Sequence, residues 1–133
     1  MLILPGGAGW ESGGHAEAIR TARRFLEAGK PVAAICGATA GLALARLLDD
    51  VRHTSNAPVV LQATGYKGSE LYQNEPAITD GEIITAGAAF PIEFAYHIFK
   101  KLGIYSESAL EAWYGLYKTG MLEYFLELQK SQV

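Results

Sequence analysis

The stretch Val32-Ala33-Ala34-Ile35-Cys36-Gly37-Ala38 decides the fold, because an apolar run passes through one cysteine into small residues. Continuous apolar residues are typical of a parallel strand that is covered on both faces. A helix is expected to follow over residues 37 to about 48. Ala34 and Ala38 are small enough to let the strand and the helix approach each other closely. The sequence therefore predicts a nucleophile elbow, a strained strand-to-helix turn with the Cys36 thiol at its tip.

A second strand end is expected beside this turn. Leu2-Ile3-Leu4 is a short apolar strand, and Pro5-Gly6-Gly7 ends it. In a parallel sheet this strand would lie next to residues 32–35, which places glycine N–H groups near Cys36. Two glycines allow backbone to approach a ligand closely. The alternative is an ordinary loop turn with no role in a site.

Helical patterns alternate with strand patterns along the rest of the chain. Ala77–Thr79 and Glu82–Ala86 flank Asp80-Gly81, which predicts a β-hairpin. A further short strand is expected at Arg52–Ser55. Helices are predicted over residues 15–29, from Pro91 to about 102, from a capping box of Ser108 and Glu111 to about 119, and around Leu122, Phe125 and Leu128. The alternation predicts an α/β fold, a three-layer α/β/α sandwich with a flavodoxin-like, mostly parallel sheet.

Composition bounds the class of protein. Half of the 133 residues are hydrophobic, and 11 Lys and Arg stand against 14 Asp and Glu for a net charge of -3. No basic surface for nucleic acid is expected. The apolar runs fall far short of the ~20 residues that span a bilayer, and no signal peptide is evident, so a soluble, cytoplasmic protein is predicted.

The single cysteine, Cys36, excludes an intramolecular disulfide and leaves three interpretations: a core thiol, a redox sensor or a nucleophile. At the N-terminus of a helix, unpaired N–H groups and the helix dipole favour the thiolate, and the same N–H groups can bind an oxyanion. A lone cysteine in an apolar run is equally a small buried hydrophobe. The spacing alone does not separate these interpretations.

Taken together, the motifs resemble the DJ-1/PfpI family of the class I glutamine amidotransferase-like superfamily. The matching segments are Leu4-Pro5-Gly6-Gly7, Gly29-Lys30-Pro31 with the strand and elbow that follow, Leu42-Ala43-x-x-x-Leu47-Leu48-Asp49, Thr54-Ser55-Asn56, Asp80-Gly81-x-Ile83-Ile84-Thr85-Ala86 and Pro91-x-Glu93-Phe94-Ala95. The resemblance implies that Cys36 is the nucleophile and that the N–H groups of Gly7 and Gly37 form an oxyanion hole.

The chain departs from the family pattern at three points. Family members normally carry a further segment before the Leu-Pro-Gly-Gly strand, with additional strands and a carboxylate that hydrogen bonds the cysteine. We therefore expect residues 1–133 to form a single, N-terminally incomplete domain. A histidine often closes the Thr-Ser-x motif, where this chain has Asn56, and PfpI proteases place a histidine directly after the cysteine, where this chain has Gly37. A Cys–His pair is consequently not established by the sequence.

Four side chains are candidates to assist Cys36. His53 is a catalytic candidate if its strand ends at the same edge of the sheet, and an exposed loop histidine is the alternative. Asn56 can hydrogen bond a thiolate or a substrate carbonyl without acting as a base. His15 and Glu11, in the first loop, are supporting candidates, with solvated loop residues as the alternative.

No metal or other cofactor is expected, since Glu93 and His97 are spaced for one helix face but lack a third ligand. The expected partners are a small-molecule substrate and further copies of the chain, as a homodimer or higher homo-oligomer. Aromatic residues of the last two helices are interpreted first as core and second as a subunit interface: Trp113, Tyr114, Tyr117, Tyr124 and Phe125.

The leading functional hypothesis is a cysteine-dependent hydrolase or amidotransferase-like activity on a small carbonyl or amide substrate. The second is a redox-sensing stress-response module in which Cys36 is oxidised without turnover. The third is a non-catalytic fragment or subunit whose open sheet edge pairs with another chain.

Overall fold

The computed structural model describes residues 1–131, which form two compact units, residues 1–94 and the residues from 95 onward. In chain order the elements are β1 (Leu2–Leu4), α1 (Ala16–Glu27), β2 (Val32–Ile35), α2 (Gly37–Leu44), α3 (Pro58–Gln62), a 3-10 turn (Ser69–Leu71), β3 (Ala77–Asp80), β4 (Ile83–Ala86), α4 (Pro91–Leu102), α5 (Glu107–Thr119) and α6 (Leu122–Ser131). The single-domain organisation stays a prediction.

The sheet has the strand order β1-β2-β4-β3. Strand β2 pairs in parallel with β1 on one side and with β4 on the other, and β3 runs antiparallel to β4. The predicted mostly parallel sheet, the hairpin and the pairing of the first strand with residues 32–35 are confirmed. Because Leu4 lies opposite Ala34 in the register, the loop that follows β1 emerges beside the turn that follows β2.

Both faces of β2 are buried, as its continuous apolar sequence predicts. Val32 and Ala34 belong to a core cluster that includes Ala22 of α1 and Leu42 of α2. The intervening Ala33 points to the opposite face, since side chains alternate along a strand, and it is also fully buried. The core therefore holds the end of β2, where Cys36 follows, at a defined place.

Three local predictions are wrong. Helix α2 ends at Leu44 rather than near residue 48, because Arg46 takes a left-handed φ of 66° that no α-helix can continue through. Residues 52–55 form no regular strand and make one isolated bridge, between His53 and Tyr72. The hairpin turn is one residue later than predicted, since Asp80 pairs with Ile83 and Gly81 carries the positive φ of 57°.

In the second unit the predicted start of α5 is also wrong. Ser106, not Ser108, is the N-cap, and its hydroxyl accepts the Ala109 N–H at 3.2 Å. Glu111 makes no capping box and instead accepts a hydrogen bond from the Tyr96 hydroxyl. This bond raises the pKa of Tyr96 to about 12, because the bonded hydroxyl proton is harder to remove beside a carboxylate.

The aromatic stripe of the second unit is only partly core. The Trp113 ring packs edge-on against Phe99, with centroids 4.9 Å apart. Tyr117 and Phe125, however, are 59% and 43% exposed. The core interpretation is therefore wrong for these two residues.

Candidate functional site

Cys36 occupies the strained turn that the sequence predicts. Its φ of 60° and ψ of -130° lie in a region that residues with a side chain rarely adopt, between the end of β2 and the start of α2. The Cys36 N–H donates to the carbonyl of Ala86, the last residue of β4, at 3.0 Å. This hydrogen bond fixes the turn to the neighbouring strand. The side chain is half-buried. Conformations of this kind cost about 1–3 kcal/mol and persist only where the surrounding structure imposes them.

The segment Pro5-Gly6-Gly7 that follows β1, here called the glycine loop, lies directly against this turn. A Cβ atom on Gly6 would be 2.7 Å from Cβ and 3.2 Å from Sγ of Cys36. A Cβ atom on Gly37 would be 2.6 Å from the Gly7 carbonyl oxygen. The separations of 2.7 Å and 2.6 Å are too short for any side chain, so the backbone of residues 6–7 packs closely against Cys36 and against the first residue of α2. The sequence placed Gly6 and Gly7 near Cys36, but the resemblance gave roles only to Gly7 and Gly37 and none to Gly6, where an added Cβ would lie 3.2 Å from Sγ.

Asn56 reaches the sulfur of Cys36. Its Nδ2 group donates to Sγ at 3.6 Å. Its Oδ1 atom accepts the Ala88 N–H at 2.8 Å, which fixes the amide with its N–H groups turned toward the sulfur. An amide N–H stabilises a thiolate or an oxyanion but cannot take up a proton. Asn56 is therefore placed to act as a donor and not as a base.

His53 is not brought to Cys36. It is fully buried, so it is not an exposed loop histidine either. Its Nδ1 atom lies 2.7 Å from the Val51 carbonyl and must donate, because a carbonyl only accepts. In the neutral ring Nε2 then accepts the Tyr66 hydroxyl, at 2.8 Å. With both ring nitrogens bonded to groups other than Cys36, His53 is held in the core of the first unit.

Burial lowers the pKa of His53 from its ordinary value of 6.5. The unfolded chain consequently takes up this proton first as the pH falls, so the free energy of unfolding should decrease below about pH 6.5 until the lowered pKa is passed. We expect urea titrations between pH 7 and pH 5 to show this loss, and His53→Gln, though less stable throughout, to show a shallower dependence on pH. Equal pH dependence in both proteins would contradict the assignment.

His15 and Glu11 lie in the loop between β1 and α1. The Nε2 atom of His15 is 3.1 Å from the Ala8 carbonyl, and its ring lies 4.3 Å from that of Trp10. These contacts order the loop and do not involve Cys36. Glu11 is exposed to solvent. The supporting roles of both residues stay predictions.

Two buried hydroxyl groups near Cys36 were missed by the sequence reasoning. Thr39 donates its hydroxyl to the Cys36 carbonyl at 2.7 Å and lies 2.7 Å from the Ser55 hydroxyl. The position of Thr39 in the first turn after the cysteine is the signal that could have been used, since Ser and Thr bond to nearby backbone there. No sequence pattern pairs Thr39 with Ser55.

Within residues 1–131, no helix combines the length and the apolar character needed to cross a bilayer. The same part of the chain holds no cluster of three or more His, Cys, Asp or Glu side chains suited to a metal ion.

The strained cysteine in the turn after a parallel strand, together with the glycine loop that faces it, defines an α/β protein with a nucleophile elbow. The DJ-1/PfpI family model matches residues 1–101, and the chain belongs to this family. It is 38% identical over 98% of its length to the uncharacterized protease YoaZ of Bacillus subtilis (strain 168), covering 63% of that protein, and 29% identical over 77% of its length to the uncharacterized protease YdeA of the same strain, covering 52%.

Solved structures agree with this assignment. A thiJ/pfpI family protein from Bacillus anthracis superposes with a TM-score of 0.93 at 40% identity, over 98% of this chain and 62% of that one. A DJ-1 superfamily protein from Agrobacterium tumefaciens superposes with a TM-score of 0.76 at 35% identity, over 86% of this chain and 63% of that one. The predicted family and α/β fold class are confirmed. The chain spans less than two thirds of the length of these relatives.

Proposed function

We propose that this chain carries a cysteine-dependent hydrolase site for a small carbonyl or amide substrate. The observation that carries the proposal is the Cys36 thiol, held in a strained turn with the Asn56 amide N–H at 3.6 Å from Sγ. The backbone of Gly6 and Gly7 packs closely against the turn, which supports a role for glycine N–H groups as further donors. Relatives named as uncharacterized proteases support a hydrolase.

The reaction uses backbone donors and one nucleophile. The Cys36 thiolate attacks the substrate carbonyl carbon, a C–S bond forms, and the carbonyl oxygen takes up the electron pair. The N–H groups of Gly7 and Gly37 hold this oxyanion. Its collapse expels the leaving group, which takes a proton from water, and leaves a thioester. Water then hydrolyses the thioester to a carboxylic acid and returns the thiol.

The neighbours of Cys36 restrict the substrate. Asn56 cannot protonate a leaving group, and both nitrogens of His53 are engaged by Val51 and Tyr66. General acid–base catalysis typically contributes about 10²–10⁴-fold to a rate. Where neither of these two residues supplies that contribution, a poor leaving group such as an amine departs slowly. We therefore propose that this chain acts on activated esters in preference to amides.

Acylation of Cys36 tests the function. With p-nitrophenyl acetate we expect a burst of one p-nitrophenolate per chain and an acetyl adduct in the intact mass, both absent from Cys36→Ser. Iodoacetamide should label Cys36 at pH 7 about tenfold faster than N-acetylcysteine, because the Asn56 amide donates to the sulfur that attacks. The absence of an acetyl adduct would refute the hydrolase proposal, and labelling no faster than the free thiol would refute an activated thiolate.

One observation also favours a second function, redox sensing. The sulfur is half-buried and contacted by a donor, Asn56, which stabilises an oxidised, negatively charged sulfur as well as a thiolate. In that reaction the thiolate and a peroxide give a sulfenate and water. A stoichiometric oxygen adduct after mild peroxide, lost in Cys36→Ser, without any acetyl adduct from the ester, would favour sensing over hydrolysis.

A further inference from the structure

We propose that Thr39 is a positioning residue that aims the Gly37 N–H toward the oxyanion and ties the elbow to the segment that carries Asn56. The inference rests on the proposed function, because it concerns the donor that the acyl-transfer step uses. It is carried by three groups that hydrogen bonds connect: the Cys36 carbonyl of the half-buried elbow and the buried hydroxyls of Thr39 and Ser55.

The first step concerns the peptide between Cys36 and Gly37. A peptide is planar and trans, so its C=O and N–H point in opposite directions. The Cys36 carbonyl accepts two hydrogen bonds from Thr39, from the backbone N–H at 3.1 Å and from the hydroxyl at 2.7 Å. These bonds hold the carbonyl against the first turn of α2. The Gly37 N–H must then point to the other side of the peptide, away from Thr39.

The second step concerns strain. Cys36 has a strained φ of 60° and ψ of -130°. Rotation of the Cys36–Gly37 peptide toward a common conformation would relieve this strain. The backbone N–H of Thr39 is one restraint against this rotation. The hydroxyl bond is a second and shorter one, and its donor, Thr39, is fully buried. Removing it should let the peptide turn and should misdirect the Gly37 N–H.

The third step follows from counting protons. The Thr39 hydroxyl has one hydrogen, which it donates to the Cys36 carbonyl, so Ser55 must be the donor across the 2.7 Å between the two hydroxyls. Ser55 precedes Asn56, whose amide contacts Sγ. The Ser55 carbonyl in turn accepts the Tyr72 hydroxyl at 3.2 Å. The chain of bonds therefore sets the elbow and Asn56 in one fixed relation.

Two reactions of the same thiol separate this role from a purely structural one. Alkylation by iodoacetamide forms no oxyanion, whereas acylation by p-nitrophenyl acetate does. In Thr39→Val, which keeps the shape and removes the hydroxyl, we expect acylation to slow by about tenfold to hundredfold and alkylation to stay within about twofold. Thr39→Ser keeps the hydroxyl and should restore most of the acylation rate.

The double variant Thr39→Val/Ser55→Ala removes both hydroxyl partners, so no buried donor is left unpaired. It replaces Thr39→Val in both assays if the single variant does not fold. Acylation at the wild-type rate in these variants, or an equal fall of both reactions, would overturn the positioning role. If the wild-type protein does not acylate, the hydrolase proposal fails on its own. A crystal structure of Thr39→Val then decides the positioning role, which requires a rotated Cys36–Gly37 peptide and is refuted by an unchanged one.

Discussion

Gly6→Ala is expected to slow alkylation of Cys36 by about tenfold or more, since a displacement of about 1 Å at a reacting group can cost about 10²-fold. The added methyl group would lie 2.7 Å from Cys36 Cβ, 3.2 Å from Sγ and 3.3 Å from the Ile35 carbonyl oxygen. Cys36 Cβ is bonded directly to the backbone and the Ile35 oxygen is part of it, so neither atom can move alone. The cysteine or the glycine loop must therefore move. The free energy of unfolding should fall by about 1–3 kcal/mol, as for other overpacked sites. Iodoacetamide labelling at pH 7 and urea denaturation measure the two effects.

Gly65→Ala is the matched control. Gly65 has a φ of 72°, and a Cβ there would meet no atom within 4 Å, so the substitution introduces backbone strain without a clash. It should cost about 1–2 kcal/mol of unfolding free energy and leave the labelling rate of Cys36 unchanged. If Gly6→Ala labels as fast as Gly65→Ala, the close packing of the glycine loop against the thiol has no consequence for reactivity.

Leu42→Ala is expected to produce the largest loss of stability, about 3 kcal/mol. Leu42 is 0% exposed and belongs to the core cluster that also contains Val32 and Ala34 of β2. Truncation removes buried apolar atoms and leaves a cavity between the helix that follows Cys36 and the strand that precedes it. Because the whole domain has a free energy of unfolding of only about 5–15 kcal/mol, this is a large fraction of the total. Urea denaturation at constant pH measures it.

Leu44→Ala, on the same helix, is the control. Leu44 is 39% exposed, so the same chemical change removes fewer buried contacts and should cost about 1 kcal/mol or less. Both variants replace leucine by alanine in the same helix, so the difference between their losses of unfolding free energy reports the effect of burial. Equal losses from the two substitutions would show that α2 is not anchored through Leu42.

Much of the fold could be predicted because it depends on local patterns. The apolar run of residues 32–35 predicts a strand buried on both faces, and Pro91 and Gly103 bracket α4 as expected. The errors concern where elements begin and end. Helix α2 ends at Leu44, two residues before Arg46, whose guanidinium donates to the Gly65 carbonyl 19 positions away, a contact that no local pattern predicts. At α5 two nearby serines were available, and Ser106 rather than Ser108 is the N-cap.

The candidate site, like the fold, could be predicted only in part from the sequence. Cys36 and the glycine loop could be placed together, because the carboxyl ends of parallel neighbouring strands meet at one edge of a sheet. The partner of the thiol could not be chosen, since His53 and Asn56 are three residues apart and their sequence does not say which side chain points inward. Packing decides it: His53 is enclosed by Tyr66 and Tyr72, and Asn56 is left to reach the sulfur.

The sequence by itself therefore predicted the mostly parallel sheet and the strained position of Cys36, because each follows from residue size and spacing within a short segment, and the resemblance of its motifs to known proteins indicated the family. Only the tertiary structure decided which groups surround the thiol. The contacts of Gly6 with Cys36 and of Thr39 with Ser55 join residues 30 and 16 positions apart in the chain. Such contacts depend on how strands and loops pack in space, and hydrophobic periodicity carries no information about them.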